Sequence, residues 1–297
     1  MWICSIQQKR YIRDYLFNVL LIYKLLKMHE GENKYVIYEK KFGYINWIGF
    51  WTLYKKEVLR FLIVAIQTII SPLVTSLLFL LVLSLAIGNE RGEVLGFPFI
   101  TFLAPGLIAM QVIQQGFSHS SSSIMIGKIQ GNIVDILYAP MTAAEITLAI
   151  NLAACTRSIM IAFVSIIVFT FIVEIEFYNF FYIFIFTLLG SFFLSSIGII
   201  IGLWSEKFDH MASATNFIIV PLSFLSGTFY SIDRLPNILK NISEINPFFY
   251  IIDGFRYGFL GETDGSVQFG LFYLLILSFI TWLAAYILFK KGYKIKS

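Results

Sequence analysis

The chain has 297 residues, of which 58% are hydrophobic, 18% aromatic and only 13% charged. A soluble domain usually carries about 25% charged residues and roughly 45–50% apolar ones, so the composition excludes a water-soluble globular protein. Two cysteines, Cys4 and Cys155, are too few for a secreted disulfide scaffold. The net charge of +4 is accounted for by basic chain ends facing anionic lipid, without a nucleic-acid partner. The composition therefore predicts a polytopic membrane protein.

Residues 1–45 are predicted to form a cytoplasmic extension ahead of the membrane domain. The apolar stretch at residues 15–23 is too short to span a bilayer. No small-residue cleavage site of a signal peptide follows it. The stretch is therefore either an interfacial amphipathic helix, or Met28 is the true first residue and residues 1–27 are translated from the sequence in error.

Residues 46–60 are predicted to form an amphipathic helix at the membrane interface. Trp47, Trp51 and Tyr54 recur at helical spacing. Trp and Tyr favour the interface because their rings have one apolar and one polar end. This helix either rests on lipid alone or also contacts a cytoplasmic partner.

Six apolar runs are each long enough to cross the membrane as a helix, which takes about 20 residues. In chain order they are residues 61–89, 94–127, 145–173, 177–205, 211–232 and 265–289. The second run is longer than a span needs, so its serine-rich end, residues 119–123, is expected outside the lipid. None of the runs alternates polar and apolar residues as barrel strands do. The predicted fold class is an all-α membrane protein with six transmembrane helices.

Basic residues predict the orientation, because cytoplasmic loops carry an excess of lysine and arginine. Eleven of the 22 basic residues precede the first span, and four more lie between positions 290 and 296. An even number of spans places both chain ends on the same side. Both termini are therefore predicted to be cytoplasmic, with residues 291–297 as a basic tail.

The connection between the second and third spans is predicted to form a short amphipathic helix on the cytoplasmic side. Apolar residues recur there at i, i+4, i+7 and i+8 over residues 129–137, and Pro140 then stops the helix. The helix is either a simple connector or a docking element for a partner. Its candidate contact residues are Ile129, Gln130, Ile133, Asp135, Ile136, Leu137 and Pro140.

The connection between the fifth and sixth spans, residues 231–266, is predicted to contain short extracellular or re-entrant helices. Residues 235–245 describe one apolar helix face, and Asn246 and Pro247 break it. Residues 248–260 are strongly aromatic yet include Asp253 and Arg256. Segments this apolar but too short to span usually lie at the interface or re-enter the protein. The alternative is a packed lid with no direct role.

Several short sequence motifs lie along these segments. They are Leu-Ser-Gly-Thr-Phe-Tyr at 225–230, Leu-Pro at 235–236, Asn-Pro-Phe at 246–248, Gly-Phe-Arg-Tyr at 254–257, Gly261, Ile-Leu-Tyr-Ala-Pro at 136–140 and Tyr-Lys-Lys-Glu-Val-Leu-Arg-Phe at 54–61. Together they resemble the ABC-2 type transporter permeases, the membrane subunits of bacterial ATP-driven exporters. The resemblance covers about residues 46–290, which form the expected transmembrane domain. It departs from the family at residues 130–132, where many members have a more acidic run.

The resemblance implies a homodimeric permease in the bacterial inner membrane that exports an amphiphile such as a lipid-linked glycan, a polysaccharide or a drug. The sequence has no Gly-x-x-x-x-Gly-Lys-[Ser/Thr] loop, so the chain is expected to be no enzyme and to bind no cofactor. ATP would be bound by a separate cytoplasmic ABC ATPase. Coupling to that subunit would use residues 129–140 together with Trp47, Trp51 and Tyr54. Membrane lipids are further expected partners.

Two other functional classes stay open, an intramembrane enzyme and a secondary transporter. An intramembrane lipid-modifying enzyme would need clustered carboxylates or a His-Glu-x-x-His motif, and the sequence has neither. A secondary transporter usually has internal repeats and buried ionisable residues.

Arg157 interrupts the third predicted span. It either snorkels or makes a polar contact, or it lies on the transport path and attracts anionic head groups.

Overall fold

The computed structural model describes residues 45–87 and 93–295. The predicted extension, including the stretch at 15–23 and the alternative start at Met28, lies outside the described residues apart from Ile45. The last two residues of the predicted basic tail lie outside them as well.

Helices make up most of the described chain, which confirms the helical fold class. In chain order they are α1 (Trp47–Ile63), α2 (Ser71–Ile87), α3 (Phe99–Ile129), α4 (Ile133–Tyr138), α5 (Ala143–Thr170), α6 (Phe180–Trp204), α7 (Phe208–Ala214), α8 (Val220–Leu225), α9 (Asn237–Ile245), α10 (Pro247–Leu260) and α11 (Val267–Lys290). A π-helical turn, Ile66–Ile70, joins α1 to α2, and a second one, Thr215–Ile219, joins α7 to α8. Strands β1 (Glu93–Val94) and β2 (Phe97–Pro98) form a short antiparallel hairpin before α3.

Polar residues mark the starts of five of the described helices. The side chains of Asn46, Thr142, Asn179, Asn246 and Ser266 each accept a hydrogen bond from a backbone N–H in the first turn that follows. Such caps satisfy N–H groups that have no partner within the helix. The boundaries of α1, α5, α6, α10 and α11 therefore follow from local sequence.

Among the described residues, five helices are long and apolar enough to cross a membrane. They are Ile66–Ala86, Phe99–Ile129, Ala143–Thr170, Phe180–Trp204 and Val267–Lys290. They correspond to the predicted spans one, two, three, four and six. The fifth predicted span, residues 211–232, is instead a shorter succession of α7, the second π turn and α8. A total of six spans therefore stays a prediction.

Helices α3 and α6 form the centre of the bundle, where small residues let their backbones approach closely. A Cβ atom at Gly198 of α6 would lie 2.6 Å from the carbonyl oxygen of Phe117, and one at Gly116 of α3 would lie 3.0 Å from that of Ser191. Close helix pairs in membrane proteins use small residues in this way. By contrast, α2 and α11 bury few of their residues, as expected for helices that face lipid.

The serine-rich end of the second predicted span continues α3 without a break. His119, Ser120 and Ser121 are fully buried inside the bundle. The hydroxyls of Ser120 and Ser121 donate to the carbonyl oxygen of Phe117, at 3.2 and 2.8 Å. The helix backbone thus satisfies these polar groups, and the segment packs against protein, while its position outside the lipid stays a prediction.

The bundle has two ends, which we name after the short helices they carry. At the α4 end, Lys128 Nζ donates to the carbonyl oxygen of Ser205 at 2.6 Å, which connects the ends of α3 and α6. At the α10 end, the Asn179 N–H donates to the carbonyl oxygen of Gly258 at 2.8 Å, which connects the start of α6 to α10. The β-hairpin and α9 also lie at the α10 end, where Arg234 Nη2 reaches the Glu93 carbonyl oxygen at 3.1 Å.

Candidate functional site

The two segments predicted to contact an ATPase lie side by side at the α4 end and are joined by hydrogen bonds. The Asn46 N–H donates to Glu145 Oε1 at 2.6 Å, and Asn46 Nδ2 donates to the Pro140 carbonyl oxygen at 2.9 Å. Glu145 Oε2 accepts the Thr142 N–H at 2.6 Å, and Thr142 Oγ1 accepts the Glu145 N–H at 3.3 Å, which is a capping box. We refer to Asn46, Pro140, Thr142 and Glu145 as the capping cluster. It ties the start of α1 and the segment after α4 to the start of α5.

The predicted helix over residues 129–137 is broken in two, so its predicted start was wrong. Gly131 has a φ of +76°, a conformation that glycine adopts without steric cost and that separates α3 from α4. Ile129 is therefore the last residue of α3, Gln130 lies in the turn, and α4 begins at Ile133. The predicted stop is confirmed, because α4 ends at Tyr138 just before Pro140.

One face of α4 is packed and the other is open. Ile133 is buried in a cluster with Leu53 of α1, and Ile136 is partly buried against it. The side chains of Asp135, Leu137 and Pro140 are exposed. A groove of about 580 Å³ runs between α4 and α1. Asp135 of α4 and Lys56 of α1 both line this groove, so it presents charges of both signs to a partner.

Helix α1 turns its tryptophans away from the bundle. Its buried face consists of Leu53, Glu57 and Phe61, whereas Trp47 and Trp51 are 65% and 53% exposed. Tyr54 has a different role from the tryptophans, since its hydroxyl forms a 2.8 Å hydrogen bond with Thr156 Oγ1 of α5. The helix itself is confirmed, and its location at the membrane interface stays a prediction.

Arg157 lies in the middle of α5 and is only 8% exposed. Its Nη2 donates to Oε1 of Gln115 on α3. Its buried Nε has no hydrogen-bond partner among the described residues. Arg157 lines a cavity of about 510 Å³, which we call the polar cavity, together with Arg60, Gln115 and Ser118. The side chain therefore makes a polar contact and also faces open space, so both alternatives for Arg157 stay open.

A buried carboxylate, which was not among the predicted site residues, lies next to this cavity. Glu57 is 1% exposed, and its Oε2 accepts from Arg60 Nε at 2.9 Å. Arg60 Nη2 also donates to the His119 carbonyl oxygen at 3.0 Å. The side chain of His119 lies 3.7 Å from Glu57 Oε2. The spacing of Leu53, Glu57 and Phe61 by four residues is the signal that could have identified Glu57 as inward-facing.

The motif residues in the last third of the chain come together at the α10 end. Arg256 is fully buried, its Nη2 donates to the Gly227 carbonyl oxygen at 2.7 Å, and its Cζ lies 3.7 Å from the centroid of the Phe102 ring. Asn246 Nδ2 donates to Ser226 Oγ at 2.7 Å. These contacts join α10 to the segment after α8 and to α3, so the motifs build a scaffold.

Two carboxylates complete this scaffold. Asp253 accepts the N–H groups of Asp264 and Gly265 at 3.0 and 3.1 Å and the hydroxyl of Thr263. Asp264 accepts the Ile232 N–H at 3.3 Å, and burial raises the pKa of its carboxyl above the usual value. Both side chains therefore serve as hydrogen-bond acceptors that hold the loop between α10 and α11.

Sequence comparisons with known proteins indicate the family of this chain. The sequence profile of the ABC-2 type transporter family matches residues 48–260. The inner membrane transport permease YadH of Escherichia coli (strain K12) is 29% identical over 256 residues, which cover 86% of this chain and 99% of that protein. Nodulation protein J of Rhizobium leguminosarum bv. viciae is 23% identical over 227 residues, which cover 76% of this chain and 86% of that protein. The chain therefore belongs to the ABC-2 type transporter family and is a membrane transport permease.

Proposed function

We propose that this permease is the transmembrane subunit of an ATP-driven exporter in a bacterial inner membrane. Permeases of the family generally work with a cytoplasmic ABC ATPase. In our proposal two copies of the chain associate with such ATPase subunits and move an amphiphile, such as a lipid-linked glycan, a polysaccharide or a drug, outward. The α4 end contacts the ATPase, and both chain termini lie on that side.

The capping cluster is the observation that carries this proposal. A push on α4 reaches the Pro140 carbonyl oxygen, which is bonded to Asn46, and the Asn46 N–H is bonded in turn to Glu145. Movement of α4 is thereby passed to α1 and to α5 together. Because α5 carries Arg157 on its central turns, a displacement at the α4 end can alter the polar cavity inside the bundle. Such rigid-body movement between packed elements is a common route to alternating access.

The charge distribution supports the proposed orientation, since basic residues mark the cytoplasmic side. Lysines and arginines are concentrated at the α4 end, and carboxylates outnumber them at the α10 end. The basic residues at the α4 end are Lys55, Lys56, Arg60, Lys128, Lys207, Lys290, Lys291 and Lys294. The carboxylates at the α10 end include Glu93, Glu174, Glu176, Asp233, Glu244 and Glu262.

Two places in the bundle can bend during the transport cycle. Each π turn is followed by a proline, Pro72 after the first and Pro221 after the second. π turns inside helices occur frequently at functional sites. Gln111 Nε2 of α3 donates to the Pro72 carbonyl oxygen at 2.8 Å, so a neighbouring helix supports the backbone at the first bend.

The test is ATP hydrolysis by the affinity-tagged chain, purified alone and as the complex that it forms in its native membrane. We expect no hydrolysis by the chain alone and hydrolysis by the complex. Asp135→Lys reverses an exposed charge on α4 and should lower the complex-associated ATPase activity roughly tenfold or more. The reason is that the new lysine would face the basic ATPase site that we expect opposite Asp135, and like charges across an interface are strongly unfavourable. Glu174→Lys, the same change at an exposed site of the α10 end, is the control. Parental hydrolysis by both Asp135→Lys and Pro140→Leu would show that α4 is not the coupling element.

A further inference from the structure

The polar cavity next to Arg157 opens to the surface of the chain, where Val64, Gln67 and Ser71 are exposed, and it is unusually polar for a membrane domain. It has a volume of about 510 Å³ and lies between α1, the first π turn, α2, α3 and α5. Its polar lining includes the side chains of Arg60, Gln67, Gln115, Ser118, Ser122 and Arg157. Ionisable residues inside a membrane are costly and mark functional sites by default.

The residues that line the cavity include two positive charges, Arg60 and Arg157, and no carboxylate. Arg60 is paired with the buried carboxylate of Glu57 at 2.9 Å. Arg157 has only the neutral carbonyl oxygen of Gln115 as its contact, and no ion pair of the described residues includes it. A guanidinium has five N–H donors, so most donors of Arg157 are left for a ligand. A singly charged anion in the cavity would balance this charge.

The neighbouring side chains favour a phosphate group as that anion. Guanidinium groups match the geometry of phosphate oxygens with two parallel hydrogen bonds. Because Gln115 Oε1 accepts from Arg157, the amide nitrogen of Gln115 is left as a donor. The hydroxyl of Ser118 is a further donor at the cavity wall. These groups suit the several oxygens of a phosphodiester, which carries one negative charge.

The surroundings of the cavity favour a ligand that also has apolar tails. A second cavity of about 360 Å³ shares Ser71, Pro72 and Gln115 with the first and continues to Phe224 of α8. Helix α2, which forms a wall of both cavities, exposes apolar side chains on its outer face. These include Val74, Leu78, Leu81, Val82 and Leu85. A molecule with its head group in the polar cavity can therefore lay apolar chains against α2.

We propose that the polar cavity binds the phosphodiester head group of an anionic amphiphile, with Arg157 as its principal contact. Arg60, Gln115 and Ser118 surround the phosphate. This inference rests on the proposed exporter function and narrows its cargo to molecules with a phosphate-bearing head group.

Calorimetric titration of the purified full chain in detergent tests the proposal with three probes. Dioctanoyl phosphatidylglycerol supplies a phosphodiester with tails, dioctanoylglycerol supplies the tails alone, and inorganic phosphate supplies the free anion. We expect saturable binding of phosphatidylglycerol and none of dioctanoylglycerol. If inorganic phosphate binds as tightly as phosphatidylglycerol and depends on Arg157 in the same way, the anion site is supported, but its ligand is a free anion and not an amphiphile. Equal binding of dioctanoylglycerol would overturn the proposal.

Variants then locate the binding. Arg157→Gln should weaken phosphatidylglycerol binding roughly tenfold or more, since a charge-assisted contact is lost. Ser118→Leu keeps both arginines but fills the cavity, and it should weaken binding to a similar degree. Lys207→Gln, which removes an exposed positive charge at the α4 end, is the matched control and should bind as the parent does. Parental affinity in Ser118→Leu and in any recoverable Arg157→Gln protein would refute the site.

The binding measurement does not depend on the ATPase, so the two proposals can fail separately. If the complex hydrolyses ATP but the chain binds none of the probes, the phosphate site is refuted and the exporter function stands. If phosphatidylglycerol binds through Arg157 but no ATPase associates with the chain, the site stands without the proposed coupling.

Discussion

Glu145→Gln tests whether the capping cluster links α1 to α5. In the parent, the carboxylate accepts the N–H groups of Asn46 and Thr142, both at 2.6 Å. Glutamine keeps one carbonyl oxygen for one of these donors and points an amide N–H₂ group at the other. The substitution thus removes one charge-assisted hydrogen bond and leaves the other as a weaker neutral bond.

The size of the effect follows from the lost hydrogen bond. A hydrogen bond to a charged group contributes about 1.5–3 kcal/mol. Losing one should therefore favour local opening of the α1 start about ten- to hundredfold. The opening should be confined to the first turns of α1, because Leu53 stays buried and Tyr54 keeps its 2.8 Å hydrogen bond to Thr156.

Hydrogen–deuterium exchange of the purified chain measures this opening. Amides in the peptide covering residues 46–52 should exchange faster in Glu145→Gln, while those of α3 and α6 stay as protected as in the parent. Glu174→Gln, a change of an exposed carboxylate at the α10 end, should have no effect on α1. Unchanged exchange at residues 46–52, or an equal increase in all helices, would refute the reasoning.

Two further predictions concern helix packing and orientation. Gly198→Ala should lower the free energy of unfolding of the chain in detergent by about 1–3 kcal/mol, because the added methyl group overpacks the contact between α3 and α6. Gly127→Ala is the control and should be tolerated, since its Cβ would lie 3.6 Å or more from its neighbours. Equal stability of the two variants would contradict the α3–α6 crossing. The orientation should appear in the labelling of single cysteines by an impermeant reagent in intact cells, and labelling at position 130 would reverse the proposed sides. In a background without Cys4 and Cys155, we expect labelling of cysteines placed at Gly92 and Asn237 but not at Gln130 or Lys294.

Local sequence was sufficient to predict most helices, because their ends depend on nearby residues. Pro140 stops α4, and Asn246 with Pro247 starts α10, as their backbone chemistry requires. The break at Gly131 was missed because the apolar spacing of Ile129 and Ile133 continues across it. The fifth predicted span was judged by its apolar composition alone, which does not reveal a π turn.

Contacts between distant segments could not be predicted from spacing. The sequence Thr142-x-x-Glu145 is recognisable as a capping box, but the bond from Glu145 to Asn46 joins residues 99 positions apart. Glu57 and Arg60 fall within the predicted interface helix, and its spacing does not indicate that they pair beside the buried His119. Arg157 was recognised as unusual, yet its contact with Gln115 depends on how α3 and α5 pack.

Photo-cross-linking tests most directly whether the α4 end of this permease contacts an ABC ATPase. A benzophenone is attached to a single cysteine at Gln130, in the turn before α4, or at Asn237, at the start of α9. We expect the Gln130 probe to form an adduct with a protein that carries the phosphate-loop sequence, and the Asn237 probe to form none. An ATPase adduct from Asn237 and none from Gln130 would contradict the account.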